Sequence, residues 1–363
     1  MNKDKNVKNR SIAILQPEVP HYREEFFFLL NHSINSDIYV FNYPELSSKQ
    51  GFKLGNNPLI YLQNKKIKGF LLYSPLPFLS KKYNTVVLML HFAHITTWFL
   101  LLTKFIHRKK IILWGQGISV KRYLQEEKKP DWKLRLQIAL SDGVWLYMEK
   151  EREMWQKVFP RKKIVALNNT LTGIEEMLSY ESPLSKEALK IKYQIKERII
   201  LIFCARFESN YRRTDLLLET IRRLDKQKFG FVIIGAGKNK PDFGLFTNVH
   251  DFGAVYDTDI KRELFSIADI YYQPGWVGLS IVEAMAYGKP IFTFKRSECT
   301  KQCVEYSYIQ PSYNGMIFDQ VEECIKTIEQ ISIQELVRMG QNAKSTAMEL
   351  TPVNMVKNAI SIL

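Results

Sequence analysis

The chain has 363 residues, 46% hydrophobic and 25% charged, which is enough for two α/β domains and too apolar for a disordered chain. Its net charge of +15 is lopsided: residues 1–178 carry 28 Lys and Arg against 15 Asp and Glu, and 179–363 carry 24 against 22. Cys204, Cys299, Cys303 and Cys324 form neither a disulfide framework nor a zinc set, which argues against a small secreted scaffold or a zinc domain.

The N-terminus, MNKDKNVKNR, is basic with no apolar signal core behind it, which predicts a cytoplasmic protein. A regular alternation follows. SIAILQ reads as a strand, YREEFFFLLN as a helix and DIYVFNY as a strand. VVLML and a helix come next, then strand KIILWG, helix DWKLRLQIAL, strand GVWLYM, helix KEREMWQKVF and strand KIVALNN. Strands that are continuous apolar runs, with helices between them, predict a parallel sheet covered on both faces. The stretch Tyr83–Thr103 contains no Asp, Glu, Lys or Arg and is long enough for a membrane span. Its β-branched run and the polar HFAH inside it instead predict a buried strand followed by a helix.

The charged stretch from Leu171 to Arg198 reads as a connector with short helical pieces. A second series then runs strand RIILIFCA, helix TDLLLETIRRLDKQ, strands FGFVIIGAG and VHDFGAV, helix DIKRELFSIA, strand DIYYQP, a helix around Glu283 and strand PIFTF. The last 40 or so residues read as helical. The expectation is an α/β fold of two doubly wound, Rossmann-like domains facing a cleft. Residues 1–175 make the first domain, with a C-terminal helix in 350–363 able to pack back on it. Residues 176–349 make the second, opening with the linker 176–197.

The stretch QPGWVGLSIVEAMAYGKPIFTF (Gln273–Phe294) stands out, because a Gly-rich, uncharged turn opens a helix of small residues with one carboxylate, Glu283. Amides at a helix start have no intrahelical partner, and Gly278 lets an anion approach them. A carboxylate one turn in can accept from a ribose diol. The spacing also fits a ligand-free capping box between Ser280 and Glu283, and spacing alone leaves both readings open.

This stretch resembles the nucleotide-sugar signature of retaining glycosyltransferases with the GT-B fold, specifically glycosyltransferase family four, the group one transferases. Their E-G-F-G-L-x-x-x-E-A-M-A-x-G-x-P aligns with G-W-V-G-L-S-I-V-E-A-M-A-Y-G-K-P. Weaker likenesses follow in order. FCARFESNYRRTDLLLE is similar to the family's G-R-L…K-G…L-L, VIIGAG to its glycine-ended strand, and CVEYSYIQPSYNGMIF to its G-P-E…N-G. VHDFGAV, ending at Val255, is similar to the strand whose backbone reads the base. QPEVPHYREEFF and ILWGQG resemble the acceptor-domain openings of polysaccharide-assembly members.

The resemblance implies roles. Arg206 and Arg212 clamp the donor diphosphate, with Arg212 one residue later than usual. Gly278, Leu279 and Ser280 offer it backbone amides, Glu283 binds the ribose, and Val255 and Glu305 line the donor site. Two guanidinium groups suit a leaving diphosphate whose negative charge grows. Arg206 is equally placed to pair with Glu208. The family's first glutamate falls on Gly275, which puts the donor sugar in question. The implied activity is hexosyl transfer (EC 2.4) from a nucleoside-diphosphate sugar to a glycan or lipid-diphosphate-linked acceptor in bacterial surface polysaccharide synthesis. It implies retention, with no metal and no other cofactor. Asp257 and Asp259 form D-T-D, which precedes a helix and reads as a cap.

On the acceptor side, His21, Tyr22, Arg23, His94 and Gln116 follow strands of the first half. They suit orientation of an acceptor hydroxyl, and equally capping or core roles. Asn64–Lys82 and KFIHRKK mix basic and apolar residues, as segments at an anionic membrane surface do. The excess charge is equally compatible with solubility. No nucleic-acid motif is present. Another GT-B enzyme, such as a sugar-nucleotide epimerase, or an inactive member that binds membrane or polyanions, are the alternatives.

Overall fold

The computed structural model describes residues 11–42 and 56–363. The basic run 1–10 and Tyr43, the last residue of the expected second strand, lie outside the described residues. The chain divides into two compact units. One comprises the described residues up to Gly173 together with 351–363, and the other is Ile174–Leu350.

The first unit holds β1 (Ile12–Gln16), β2 (Ser36–Val40), β3 (Leu59–Tyr61), β4 (Asn64–Ile67), β5 (Phe70–Tyr73), β6 (Thr85–Met89), β7 (Lys110–Gly115), β8 (Gly143–Leu146) and β9 (Lys163–Ala166). Seven of these form a parallel sheet in the order β3-β2-β1-β6-β7-β8-β9. Both faces are covered, which is why the strands read as unbroken apolar runs. Ala13 and Leu15 of β1 point into one cluster with Leu88, Leu113 and Trp155, while Ile12 and Ile14 point into another with Phe26, Phe27 and Trp114. Met355, Val356, Ala359 and Ile362, on and just after the last helix (Pro352–Ile360), pack into that second cluster.

The stretch Tyr83–Thr103 is β6, a turn and the helix Ile95–Leu102, the strand and helix expected for it. No helix among the described residues is long and apolar enough to cross a membrane. Between β3 and β6 the periodicity gave no elements, and the chain there forms an antiparallel hairpin. β4 pairs with β5 through a turn at Lys68 (φ +48°) and Gly69 (φ +83°), followed by the short helix Leu76–Leu79. Twisted hairpins need two residues of positive φ, and the KG pair supplies them in place of the usual NG.

The second unit holds β10 (Ile199–Cys204), β11 (Phe229–Ile234), β12 (Val249–Asp251), β13 (Ile270–Tyr272), β14 (Ile291–Phe294) and β15 (Gly315–Phe318), all parallel, in the order β12-β11-β10-β13-β14-β15. The stretch VHDFGAV is strand only over Val249–Asp251, so Val255 lies in a loop. β15 has no counterpart in the sequence reading. The order reverses at β10, whose neighbours are β11 and β13. Chain connections diverge at such a point, leaving a crevice at the carboxyl ends of the two strands. In the first unit the reversal lies between β1 and β6. The fold is thus α/β with two doubly wound sheets of seven and six strands.

Candidate functional site

In the second unit, the loops after β10 and β13 flank the reversal. The β13 loop is held from below by two buried glutamines. Gln273 Nε2 donates to the carbonyls of Trp276 (2.8 Å) and Gly275 (3.3 Å), and its Oε1 accepts from Tyr271 Oη (2.8 Å) and Ser280 Oγ (3.0 Å). Gln302 Oε1 accepts from the Val277 amide at 2.8 Å, and its Nε2 donates to the Phe294 carbonyl at 2.8 Å. A turn tied at this many backbone groups is fixed before any ligand arrives.

The β10 loop closes on it. Residues Asn210–Arg212 form a 3-10 turn and Arg213 is left-handed at φ +52°. A Cβ on Gly275 would collide with the Tyr211 carbonyl and lie 2.7 Å from Arg213 Cγ. The family's glutamate is therefore not simply missing here, since this chain has no room for any side chain at position 275. Trp276 follows in the left-handed region at φ +53°, which is costly for a bulky residue.

Arg212 is the distinctive group. Its Nη1 donates to the Trp276 carbonyl at 2.8 Å and its Nε to the Arg206 carbonyl at 3.2 Å. No described carboxylate lies within ion-pair distance of it, whereas its neighbour Arg213 is paired with Asp215 at 2.7 Å. Burial holds the Arg212 guanidinium below its usual pKa, and the Arg206 charge nearby pushes the same way. A desolvated cation beside a second cation favours an incoming anion. Arg206 itself is exposed at the end of β10.

The capping box between Ser280 and Glu283 does not form. The helix Ser280–Ala286 has Leu279 at its N-cap position with no side-chain cap, and the Ser280 hydroxyl goes to Gln273. Glu283 instead meets Lys261, on the helix Thr258–Ile267, with Nζ to Oε1 at 2.6 Å and to Oε2 at 2.8 Å. A Cβ on Gly278 would meet only Cys303 Sγ, at 3.8 Å, so the approach there is open. Burial pushes the Cys204 thiol, at the end of β10, up to about 11, so it is neutral. Lys261, Gln273, Tyr211 and Trp276 were not singled out from the sequence. Each is a common residue type in an ordinary context, and only their juxtaposition marks them.

The remaining residues are placed as follows. Val255 is half-buried in the β12 loop, and Glu305 is buried in the 3-10 turn Val304–Tyr308. Asp257 caps the helix Thr258–Ile267, accepting from the amides of Asp259 and Ile260 at 2.9 Å each. In the first unit, parallel pairing puts the loops after β1, β6 and β7 at the carboxyl end of the sheet, carrying His21, Tyr22 and Arg23, then His94, then Gln116. His21 is exposed, while Tyr22 and Gln116 are half-buried. Arg23 is buried, donates to Asn169 Oδ1 at 2.8 Å and lies 4.7 Å from the Tyr147 ring centroid. His94 is buried between Phe41 and Tyr73, its Nδ1 has no hydrogen-bond partner among the described residues, and burial pushes its pKa down to about 3.

Residues 198–332 match the family model described as Glycosyl transferases group 1. An uncharacterized glycosyltransferase of Haemophilus influenzae is 24% identical over 224 residues, which is 59% of this chain and 58% of that protein's length. Among solved structures, Anabaena HepE in complex with UDP-glucose superposes with a TM-score of 0.63 at 15% identity, over 97% of this chain and all of that one. The apo lipopolysaccharide outer core galactosyltransferase WaaB gives 0.63 at 13% identity, over 97% and 98%. The chain thus has the two-domain α/β fold of these solved structures, and the stretch that matches the group 1 glycosyl transferases model lies in the unit that carries Arg212 and Glu283.

Proposed function

We propose that this chain is a glycosyltransferase of the hexosyl-transferring (EC 2.4) type. It moves a sugar from a nucleoside-diphosphate sugar to a glycan or lipid-diphosphate-linked acceptor in bacterial surface polysaccharide synthesis, with retention. The observation that carries this reading is Arg212, a half-buried guanidinium with no carboxylate partner among the described residues, set beside Arg206 at the reversal of the second sheet. In this reading the bond from the anomeric carbon to the β-phosphate oxygen breaks, and negative charge grows on the diphosphate. The two guanidinium groups stabilise that charge as it develops. The departing phosphate oxygen takes the proton of the incoming acceptor hydroxyl on the same face. No metal or other cofactor is part of the proposal. The UDP-glucose complex of HepE makes uridine nucleotides the first donors to try, and the name of WaaB supports an acceptor in surface glycan assembly.

Calorimetric titration with UDP, GDP, ADP and CMP tests the reading. One nucleotide should bind, and both Arg212→Ala and Glu283→Ala should weaken it. A folded protein that binds none of them would sink the proposal. Incubating the bound nucleotide's sugar without acceptor separates the epimerase alternative, since an epimerase converts the sugar and a transferase at most hydrolyses it slowly.

An exposed face of the first unit favours an anionic membrane as the acceptor-side partner. Phe105, Ile106 and Leu102, on or beside the helix Lys104–His107, are 78%, 69% and 58% exposed. Trp132 and Leu136 of the helix Trp132–Leu140 are also exposed, as are Ile67, Phe70 and Leu72 of the hairpin. Exposed Lys65, Lys66, Lys68, Arg108 and Arg135 accompany them. Apolar side chains among cations suit the headgroup boundary of a cytoplasmic leaflet. Vesicles with a third phosphatidylglycerol should sediment the protein and pure phosphatidylcholine should not, and Phe105→Ser with Ile106→Ser should abolish the difference.

A further inference from the structure

The Lys261–Glu283 pair is unusual for its position. Both oxygens of the carboxylate lie within hydrogen-bond distance of one ammonium, at 2.6 and 2.8 Å, and Glu283 is 9% exposed. Its neighbours Cys204, Tyr271 and Tyr287 are held protonated, chiefly by burial. They neither compensate the carboxylate nor add charge. Burying two ions costs several kcal/mol of solvation, and a hydrophobic pair of the same size is often as stable, so stability alone is a weak reason for this arrangement. The pair also stands near Cys204, as Arg212 does, on the side where a diphosphate would lie.

We propose that Lys261 is a positioning residue of the nucleotide site: it fixes the Glu283 carboxylate and cancels its charge, so that a carboxylate can read ribose hydroxyls beside a diphosphate. This rests on the transferase reading above. The chemistry follows from lone pairs and charge. A carboxylate has about four acceptor positions, and the ammonium uses two, leaving two for a vicinal diol. Without Lys261 the same carboxylate would be a bare anion near a ligand carrying two to three negative charges, in surroundings where Coulomb energies are several times those in water. Met at this position would keep the packing and remove the charge.

The test uses UDP and uridine with the full chain, UDP by calorimetry and uridine by NMR titration. Lys261→Met should weaken UDP about tenfold or more, because the unpaired carboxylate repels phosphate, and weaken uridine by less than about threefold. Lys261→Arg should restore UDP binding. The double variant Lys261→Met, Glu283→Gln leaves no buried lone charge, so it should fold, and it should bind UDP more tightly than Lys261→Met alone. Thermal melts of all variants accompany the titrations. UDP binding unchanged by Lys261→Met overturns the proposal. So does an equal loss of UDP and uridine that Lys261→Arg does not rescue, which would mark a packing role only. If the wild type binds none of UDP, GDP, ADP and CMP, the transferase reading fails and this proposal with it. If Glu283→Ala weakens UDP while Lys261→Met does not, only the assignment of Lys261 fails.

Discussion

The ring of Trp276 stacks on that of Tyr211, with centroids 4.8 Å apart and planes 14° from parallel. The two residues sit on the loops after β13 and β10, so the stack joins the carboxyl ends of the two strands where the second sheet reverses its order. Trp276 holds a left-handed conformation that its size disfavours, next to Gly275, whose Cα faces the Tyr211 carbonyl. The sequence departs from the related signature in the same place.

Restoring the family's residue is therefore expected to harm the protein. Gly275→Glu must displace the Tyr211 carbonyl and the Arg213 stem, a backbone collision that costs about 2–4 kcal/mol. The melting temperature should fall by roughly 5–10 °C. A scan of the purified variant checks this, and an unchanged melting temperature would show that the two loops yield readily.

Arg212 and Arg213 are adjacent but should behave differently. Arg212→Ala should weaken nucleoside-diphosphate binding on the order of tenfold to a hundredfold, with little change in melting temperature, and Arg212→Lys should not rescue it fully. Arg213→Ala breaks the pair with Asp215 and should lower stability while sparing the nucleotide. Calorimetry and melts on the three variants decide the assignment, and reversed behaviour would move the diphosphate contact to Arg213.

Gln273 carries the β13 loop. Gln273→Leu keeps the size but removes the bonds to the Gly275 carbonyl and the Ser280 hydroxyl and one of two partners from the Trp276 carbonyl and the Tyr271 hydroxyl, costing about 1–3 kcal/mol. Urea unfolding monitored by tryptophan fluorescence measures the loss. Nucleotide binding should weaken as well, because Arg212 is positioned on that same Trp276 carbonyl.

His94 gives a pH dependence in the first unit. Burial is the main cause of its depressed pKa, about 3, with smaller contributions from His91 and Lys66. Below its ordinary value near 6.5 the unfolded chain takes up a proton that the folded chain refuses. The stability tied to neutral His94 is therefore present above pH 6.5 and is lost as pH falls from there toward 3. His94→Phe, flanked by Phe41 and Tyr73, removes this contribution. Urea midpoints at pH 7.5 and 5 should fall less for the variant than for the wild type.

The sequence by itself determined most strands of the two sheets and marked the turn and helix of the candidate site. Ile111–Trp114 and Ile199–Phe203 are apolar without alternation because both faces of each sheet are covered, and that pattern is local and periodic. The GWVGLSIVEAMAYGKP stretch was legible for the same reason, as a contiguous turn and helix. Some elements escaped: β3, the hairpin and β15 were not read as strands, although β13 and β14, no longer than β15, were. Tertiary structure alone decided the rest. Whether Glu283 caps its own helix or faces a partner depended on Lys261, 22 residues away on another helix. Why glycine stands at 275 depended on the Tyr211 carbonyl, 64 residues away on another loop. Spacing along a chain fixes what one turn or helix can do by itself. Which groups meet across a sheet reversal is set by the packing of strands and loops, and no local pattern encodes it.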